Sequence, residues 1–227
     1  MISILLIKKR ILFCFLLFSI FSFGQDFSNS ETQNNKLESA KRQLLGSLAI
    51  DYYIPSTSGE NFVGNGMKGE GGYSIKMQLF PYKQFFIGFN FGNTYLSVTD
   101  RAFTGNYNKT NIRNQCFFTG YEFLPFKLTR LGLNIGISGD AHYENIGFTN
   151  NEEYNQTDTG VIMYYEMYFD YEVGNKFSIY FAYSYRKDKM NIMAPEILQA
   201  NFNEAIYHNF GVGIKFHIGN KDVISLF

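Results

Sequence analysis

The sequence predicts an all-β protein, an eight-stranded antiparallel up-and-down transmembrane β-barrel. Three observations carry that prediction. Apolar and polar residues alternate with a period of two along eight segments. Aromatic residues make up 19% of the chain, all of them Phe or Tyr, alongside 21 Gly and only 4 Pro, a composition suited to strands. Short and long connections alternate between the segments, which puts turns at one end of a barrel and loops at the other.

The N-terminus reads as an export signal. Lys8, Lys9 and Arg10 precede an apolar run from Ile11 to Phe23, and Ser22 and Gly24 are small residues where a signal peptidase cuts. Cleavage is expected before Gln25, making residues 1–24 a signal peptide. The run is about 13 residues, short of the roughly 20 that a spanning helix needs. Cys14 leaves with the signal, so Cys116 is alone in the mature chain and no internal disulfide is expected. Loss of Lys8, Lys9 and Arg10 takes the basic count from 20 to 17 against 20 acidic residues. A near-neutral chain without a basic block argues against nucleic-acid binding. Residues 25–42 are polar and form an expected periplasmic lead-in.

Strands are predicted over residues 43–54, 72–80, 84–98, 111–123, 131–144, 160–173, 176–186 and 205–218, within a barrel spanning 43–218. Each is about the 9–11 residues that a tilted strand needs to cross a bilayer, or somewhat longer. Alternation is clearest late in the chain. Phe177, Ile179, Phe181, Tyr183 and Tyr185 oppose Ser178, Tyr180, Ala182, Ser184 and Arg186. Phe210, Val212, Ile214, Phe216 and Ile218 oppose Asn209, Gly211, Gly213, Lys215 and His217. The fourth segment is ambiguous, because Phe117 and Phe118 are adjacent and Glu122 sits late. Turns are expected at 81–83, 124–130 and 174–175, and long polar loops at 55–71, 99–110, 145–159 and 187–204. Residues 219–227 form a short C-terminal tail.

A soluble barrel with its apolar face inside would show the same period. The inverted polarity is favoured because so many large rings would crowd an eight-stranded interior. The opposite face carries Gly, Ser, Ala and Asn with charges of both signs. Asp51, Asp140, Glu166, Asp170 and Glu172 are expected to line the lumen with Lys76, Arg186 and Lys215. There they can pair, whereas a basic residue facing lipid at the midplane costs about 2–4 kcal/mol. Tyr52, Tyr73, Tyr121 and Tyr185 are expected in interfacial girdles.

The aromatic alternating segments and the final run His208-Asn209-Phe210-Gly211-Val212-Gly213-Ile214-Lys215-Phe216 resemble the small outer-membrane barrels of the OmpA transmembrane-domain and OmpX type. The resemblance covers nearly the whole mature chain. It implies a cell outer membrane location, contact with outer-membrane lipid, a monomer, and assembly through a terminal aromatic residue read by the barrel-assembly machinery. Phe216 or Phe227 could serve, and the tail 219–227 departs from the family's usual ending.

No catalytic, cofactor or metal constellation stands out. Ser138, Asp140, His142 and Glu144 share one face of the fifth segment, which reads as an inward polar ladder. Successive members of such a row lie about 6–7 Å apart, too far for a relay without partners from other strands. His208 and His217 are isolated from ligand-spaced partners. Gly64, Gly66 and Gly69 match a dinucleotide-loop spacing but lie between strands, so a flexible surface loop is the expectation. Phe62, Phe103, Tyr107, Phe148, Tyr154 and Phe202 are candidate surface contacts. The functional expectation is a non-enzymatic barrel with a structural or surface-interaction role. A narrow pore for small solutes or ions is the alternative, followed by a lipid-acting enzyme.

Overall fold

A computed structural model describes residues 42–149, 152–174 and 176–227. The signal segment, its cleavage site and residues 25–41 of the lead-in lie outside the described residues. Among those described, eight antiparallel strands close into one ring in chain order. They are β1 Gly46–Ser58, β2 Met67–Tyr82, β3 Phe85–Val98, β4 Lys109–Phe123, β5 Thr129–Thr149, β6 Glu152–Gly174, β7 Phe177–Met190 and β8 Glu204–Ile218. The ring shuts where β1 pairs with β8, from Gly46 opposite Ile218 to Ser58 opposite Ile206. Closure gives backbone groups strand partners without water, as a hydrocarbon surround requires.

Parity along each strand separates two environments. Outward side chains form an apolar belt. It includes Ile50, Tyr52 and Ile54 on β1, Met163, Tyr165 and Met167 on β6, and Phe210, Val212 and Ile214 on β8, all exposed. Inward side chains are buried, charges included: Asp51, Lys76, Glu166 and Lys215 all lie on the lumen side. This is the polarity of a membrane-spanning barrel. Tyr52, Tyr73 and Tyr121 point outward and are exposed.

An eight-stranded lumen is narrow, and the rings inside it fit because glycines lie beneath them. A Cβ at Gly132 would stand 2.0 Å from the Tyr168 ring, and one at Gly120 would stand 2.5 Å from the Phe86 ring. Phe80, Phe86 and Phe118 thereby fill the end of the barrel where the short turns lie, packed with Tyr168 and Tyr180.

The structure corrects the expected loops. Segment 55–71 is largely ordered β1 and β2, joined by a short helix α1 (Phe62–Gly66). The Asn61 side chain caps α1, accepting from the Val63 and Gly64 amides at 3.1 and 2.8 Å. Gly64 and Gly66 therefore sit in a capped helical turn and Gly69 in β2, in place of a flexible loop. Of segment 145–159, residues 145–149 extend β5 and residues 152–159 belong to β6. The two strands stay paired from His142–Thr159 out to Thr149–Glu152. The remaining connections carry α2 (Arg101–Thr104) and α3 (Glu196–Phe202).

A second correction concerns β5. Phe117 pairs with Ser138 but Phe118 pairs with Gly136, so Ile137 is an extra residue opposite β4. The register against β6 slips in the same stretch, between Ile135 and Asp140. Ile135 and Ile137 both face outward, while Ala141 and Tyr143 are fully buried. A one-residue bulge exchanges the two faces of everything beyond it. Asp140, expected in the lumen, therefore lies on the outer surface, exposed, together with Ser138 and His142. Glu144 shares their outward parity, so the inward polar ladder does not exist.

The tail folds back onto the β2–β3 turn, ending in a 3₁₀ turn at Ile224–Leu226. Asp222 is buried and accepts from the Lys83 amide at 2.8 Å and the Ser225 amide at 2.7 Å. Burial alone would raise its pKa, but the hydrogen bonds from Ser225 and Lys83 hold it below the usual carboxylate value. The bond to Lys83 steadies a residue at φ 50°, a left-handed conformation that a side chain disfavours.

Deleting Ile137 tests the bulge. Removal should return Asp140 and His142 to the lumen and expel Tyr143. The expected result is a sharp fall in the fraction showing heat-modifiable gel migration, while deletion of an apical hairpin residue such as Asn155 leaves that fraction unchanged.

Candidate functional site: the sealed lumen

The inward groups form three layers. At the turn end, Glu122 on β4 is the hub. Its Oε1 accepts from Lys215 Nζ at 2.6 Å and from the Tyr168 hydroxyl at 2.7 Å, and its Oε2 accepts from Arg130 Nη1 at 3.0 Å. Lys215 also reaches Asp170 at 2.9 Å and stands 4.2 Å from the centre of the Tyr168 ring. Arg130 continues to Glu172 at 2.7 Å. Arg42, just ahead of β1, closes this layer by donating to Glu172 at 2.7 Å and to the Phe126 carbonyl at 2.6 Å.

The middle layer centres on Lys76 of β2. Its ammonium donates to Glu166 at 2.5 Å, to the Tyr180 hydroxyl at 3.0 Å and to Asp51 at 3.4 Å. Glu166 accepts further bonds from Tyr180 at 2.8 Å, from Asn134 at 3.0 Å and from the Tyr164 hydroxyl. Ser74 donates to the other oxygen of Asp51. Each of these charged groups is met by opposite charge and by neutral hydrogen-bonding groups, the condition under which buried charge is tolerated.

At the loop end, Arg186 makes a fork to Asp188, with Nε and Nη2 at 2.8 and 2.5 Å from its two carboxylate oxygens. The Tyr143 hydroxyl donates to Asp188 at 2.5 Å and lies 2.9 Å from the Tyr207 hydroxyl. Above this layer Phe62 and Phe202 stack at 5.4 Å, and Phe62 meets Tyr143 at 6.4 Å. Phe62 is 3% exposed and Phe202 packs against the same cluster. Both were candidate surface contacts; the structure makes them a stopper in the mouth. Phe103 and Phe148 are exposed. Tyr107 and Tyr154 pack on each other at 5.9 Å, and Tyr154 donates to the Asn106 carbonyl.

Of the eight residues assigned to the lumen from sequence, Asp51, Lys76, Glu166, Asp170, Glu172, Arg186 and Lys215 lie inside, and Asp140 lies outside because of the bulge. Their partners differ from the expected set. Arg186 pairs with Asp188, which sequence reasoning left in a loop, and Glu172 pairs with Arg130 and Arg42, left in a turn and in the lead-in. Glu122, the hub of the lowest layer, was passed over in the ambiguous fourth segment. Its signal was the parity it shares with Phe118, Cys116 and Asn114. His217 lies on the lumen side near the turns, 3.2 Å from Ser178, whereas His208 packs outward between Tyr183 and Tyr185. Among the described residues no group of three His, Cys, Asp or Glu side chains could hold a metal ion.

Solved structures share this architecture. Neisserial surface protein A (NspA) superposes at a TM-score of 0.52 with 12% identity, covering 75% of this chain and 96% of that chain. Ail, the attachment invasion locus protein of Yersinia pestis, gives 0.46 at 12% identity, covering 78% of this chain and 99% of its own. The Pseudomonas aeruginosa outer membrane protein OprG gives 0.45 at 12% identity, covering 78% and 98%. No protein-family model matches the sequence, and no curated protein matches it. The fold is that of the small eight-stranded outer-membrane barrels.

Lys215 is the most consequential member of these layers. Replacing it with Met leaves the buried Asp170 without its cation and Glu122 with Arg130 alone, so Lys215→Met is expected to cost about 3–5 kcal/mol. Tyr168→Phe removes the hydrogen bond to Glu122 and the acceptor of Gln78 Nε2 but leaves both carboxylates their cations, and should cost about 1.5–3 kcal/mol. Urea titration of the folded fraction in lipid vesicles reads both, and equal costs for the two variants would contradict the hub.

Proposed function

We propose that this protein is a non-enzymatic outer-membrane barrel that serves as a rigid post for surface recognition. The observation that supports this reading is a lumen closed in three layers beneath a β-hairpin that projects past the ring. The ion pairs of Glu122, Lys76 and Arg186 and the Phe62 stopper oppose an open solute path. The inward carboxylates are committed to cations and hydroxyls, which leaves little in the lumen for acid-base chemistry on an outside substrate.

The hairpin is the most extended feature at the loop end. β6 pairs with β7 only from Gly160 onward, while its pairing with β5 continues to Glu152. On the other side β5 stays paired with β4 as far as Ile146, so three residue pairs, Gly147–Tyr154 to Thr149–Glu152, stand clear of both neighbours and reach about 10 Å along the strands. Among the described residues β6 has no strand neighbour on its other side from Glu152 to Asp158. A segment of this kind, held on a stiff barrel, presents side chains and an open backbone edge together. Glu152, Glu153 and Asp158 give the hairpin an acidic cast.

Two measurements on the purified protein test the proposal. Proteoliposomes should show no swelling response to small sugars or amino acids beyond protein-free vesicles; a size-graded response would favour the pore. Replacing residues 147–154 with a short turn should keep heat-modifiable migration and outer-membrane fractionation. The same change should abolish the surface binding or adhesion phenotype of cells carrying the intact chain, and a retained phenotype would sink the role given to the hairpin.

A further inference from the structure

Between the Lys76 layer and the Arg186 layer the packing leaves a small cavity of about 30 Å³. Its walls include Asp51, Lys76, Asn90, Asn114, Arg186 and Asn209. Three buried amide atoms on these walls have no hydrogen-bond partner among the described residues: Asn90 Oδ1, Asn114 Nδ2 and Asn209 Oδ1. Asn90 and Asn114 are each only 6% exposed. Buried amide groups of this kind are almost always paired, with protein or with ordered water. Three orphans around one cavity, from β3, β4 and β8, indicate a common partner.

We propose that this cavity is a built hydration site holding about two water molecules, which bridge the three asparagines and join the Asp51 carboxylate to them. The size fits, since one water needs about 10–15 Å³ of such space and two or more polar partners. The chemistry of the wall selects water over an ion. Asn90 and Asn209 offer acceptors while Asn114 offers a donor, so the occupant must both donate and accept. A metal cation would satisfy the two carbonyls but meet the Lys76 ammonium, the Arg186 guanidinium and the Asn114 amide with like charge or a donor. An anion would meet Asp51. Asp51 has capacity for a further donor, because among the described residues its carboxylate receives Ser74 and Lys76 alone. The ion-paired layer lies below the waters and the aromatic stopper above them, which restricts their exchange with bulk.

Water-selective NMR on the labelled protein in detergent micelles reads this site directly. Cross-peaks at the water frequency are expected for the side-chain amides of Asn90, Asn114 and Asn209. Asn114→Leu should fill the space and remove the peaks at Asn90 and Asn209, whereas Asn114→Ser, which enlarges it, should keep them. Retained heat-modifiable migration confirms that each variant is folded. Absence of water cross-peaks in the unmodified protein means a dry cavity and overturns the proposal. A rubidium soak of crystals, with an anomalous peak between Asn90 and Asn209, would overturn it in favour of a cation.

Discussion

The interaction on which the rest of this structure depends is the meeting of Glu122 with Lys215 and Arg130 inside a closed ring. Each of the three lies in a place water does not reach freely, and each is at most 3% exposed. A single charge there would be prohibitively desolvated. Together, with Tyr168 and Asp170, they become a cross-link that ties β4, β5, β6 and β8 across the lumen. The outward belt offers no comparable specificity, because lipid-facing side chains meet much the same environment whichever neighbour they have. Backbone closure holds the ring, and the inward charges choose its register.

That division explains how far the sequence could be read. Parity within the belt was legible, because lipid enforces one face and the narrow lumen the other. Phe177 to Arg186 and Asn209 to Ile218 show it without interruption. Seven lumen residues followed from that parity alone. Pairing was less legible. Asp188 and Arg130 lie where β7 and β5 run past the belt, and there neither face meets lipid, so alternation fades and the residues look like loop. Glu122 follows two adjacent phenylalanines, and nothing in composition says that Phe118 is the one that turns in. The glycine opposite it decides: Gly88 leaves room that a Cβ would take from the Phe118 ring at 2.4 Å.

The bulge at Ile137 is the deepest loss. Its sequence signature is two apolar residues, Ile135 and Ile137, spaced as an ordinary strand would space them, followed by Ser138, Asp140 and His142 at the opposite parity. Read at face value the polar row continues inward. It turns outward because β5 gains one residue over its neighbours where the apolar belt ends on that side of the ring. Past this level an outward Asp140 or His142 meets headgroups or water, while Tyr143 is freed to enter the lumen and reach Asp188. The inserted residue thus exchanges Ser138, Asp140 and His142 for Gly139, Ala141 and Tyr143 on the lumen side, and Tyr143 joins the seal.

The lid and the projecting hairpin follow from one strand. β5 supplies Tyr143 to the seal and, six residues later, reaches the hairpin apex. β6 supplies Tyr164 and Glu166 to the middle layer and, in the other direction, the open edge from Asp158 to Glu152. A hairpin extended from an open barrel would carry motion into the lumen, and a pore would tie conduction to whatever the apex touched. Here the seal is made below the departure point, where Tyr143 is bonded across the ring to Asp188 of β7 and Tyr207 of β8. Sequence change in the hairpin beyond Gly147 therefore leaves the ion-paired layers untouched, and the hairpin can vary while the barrel that carries it stays fixed.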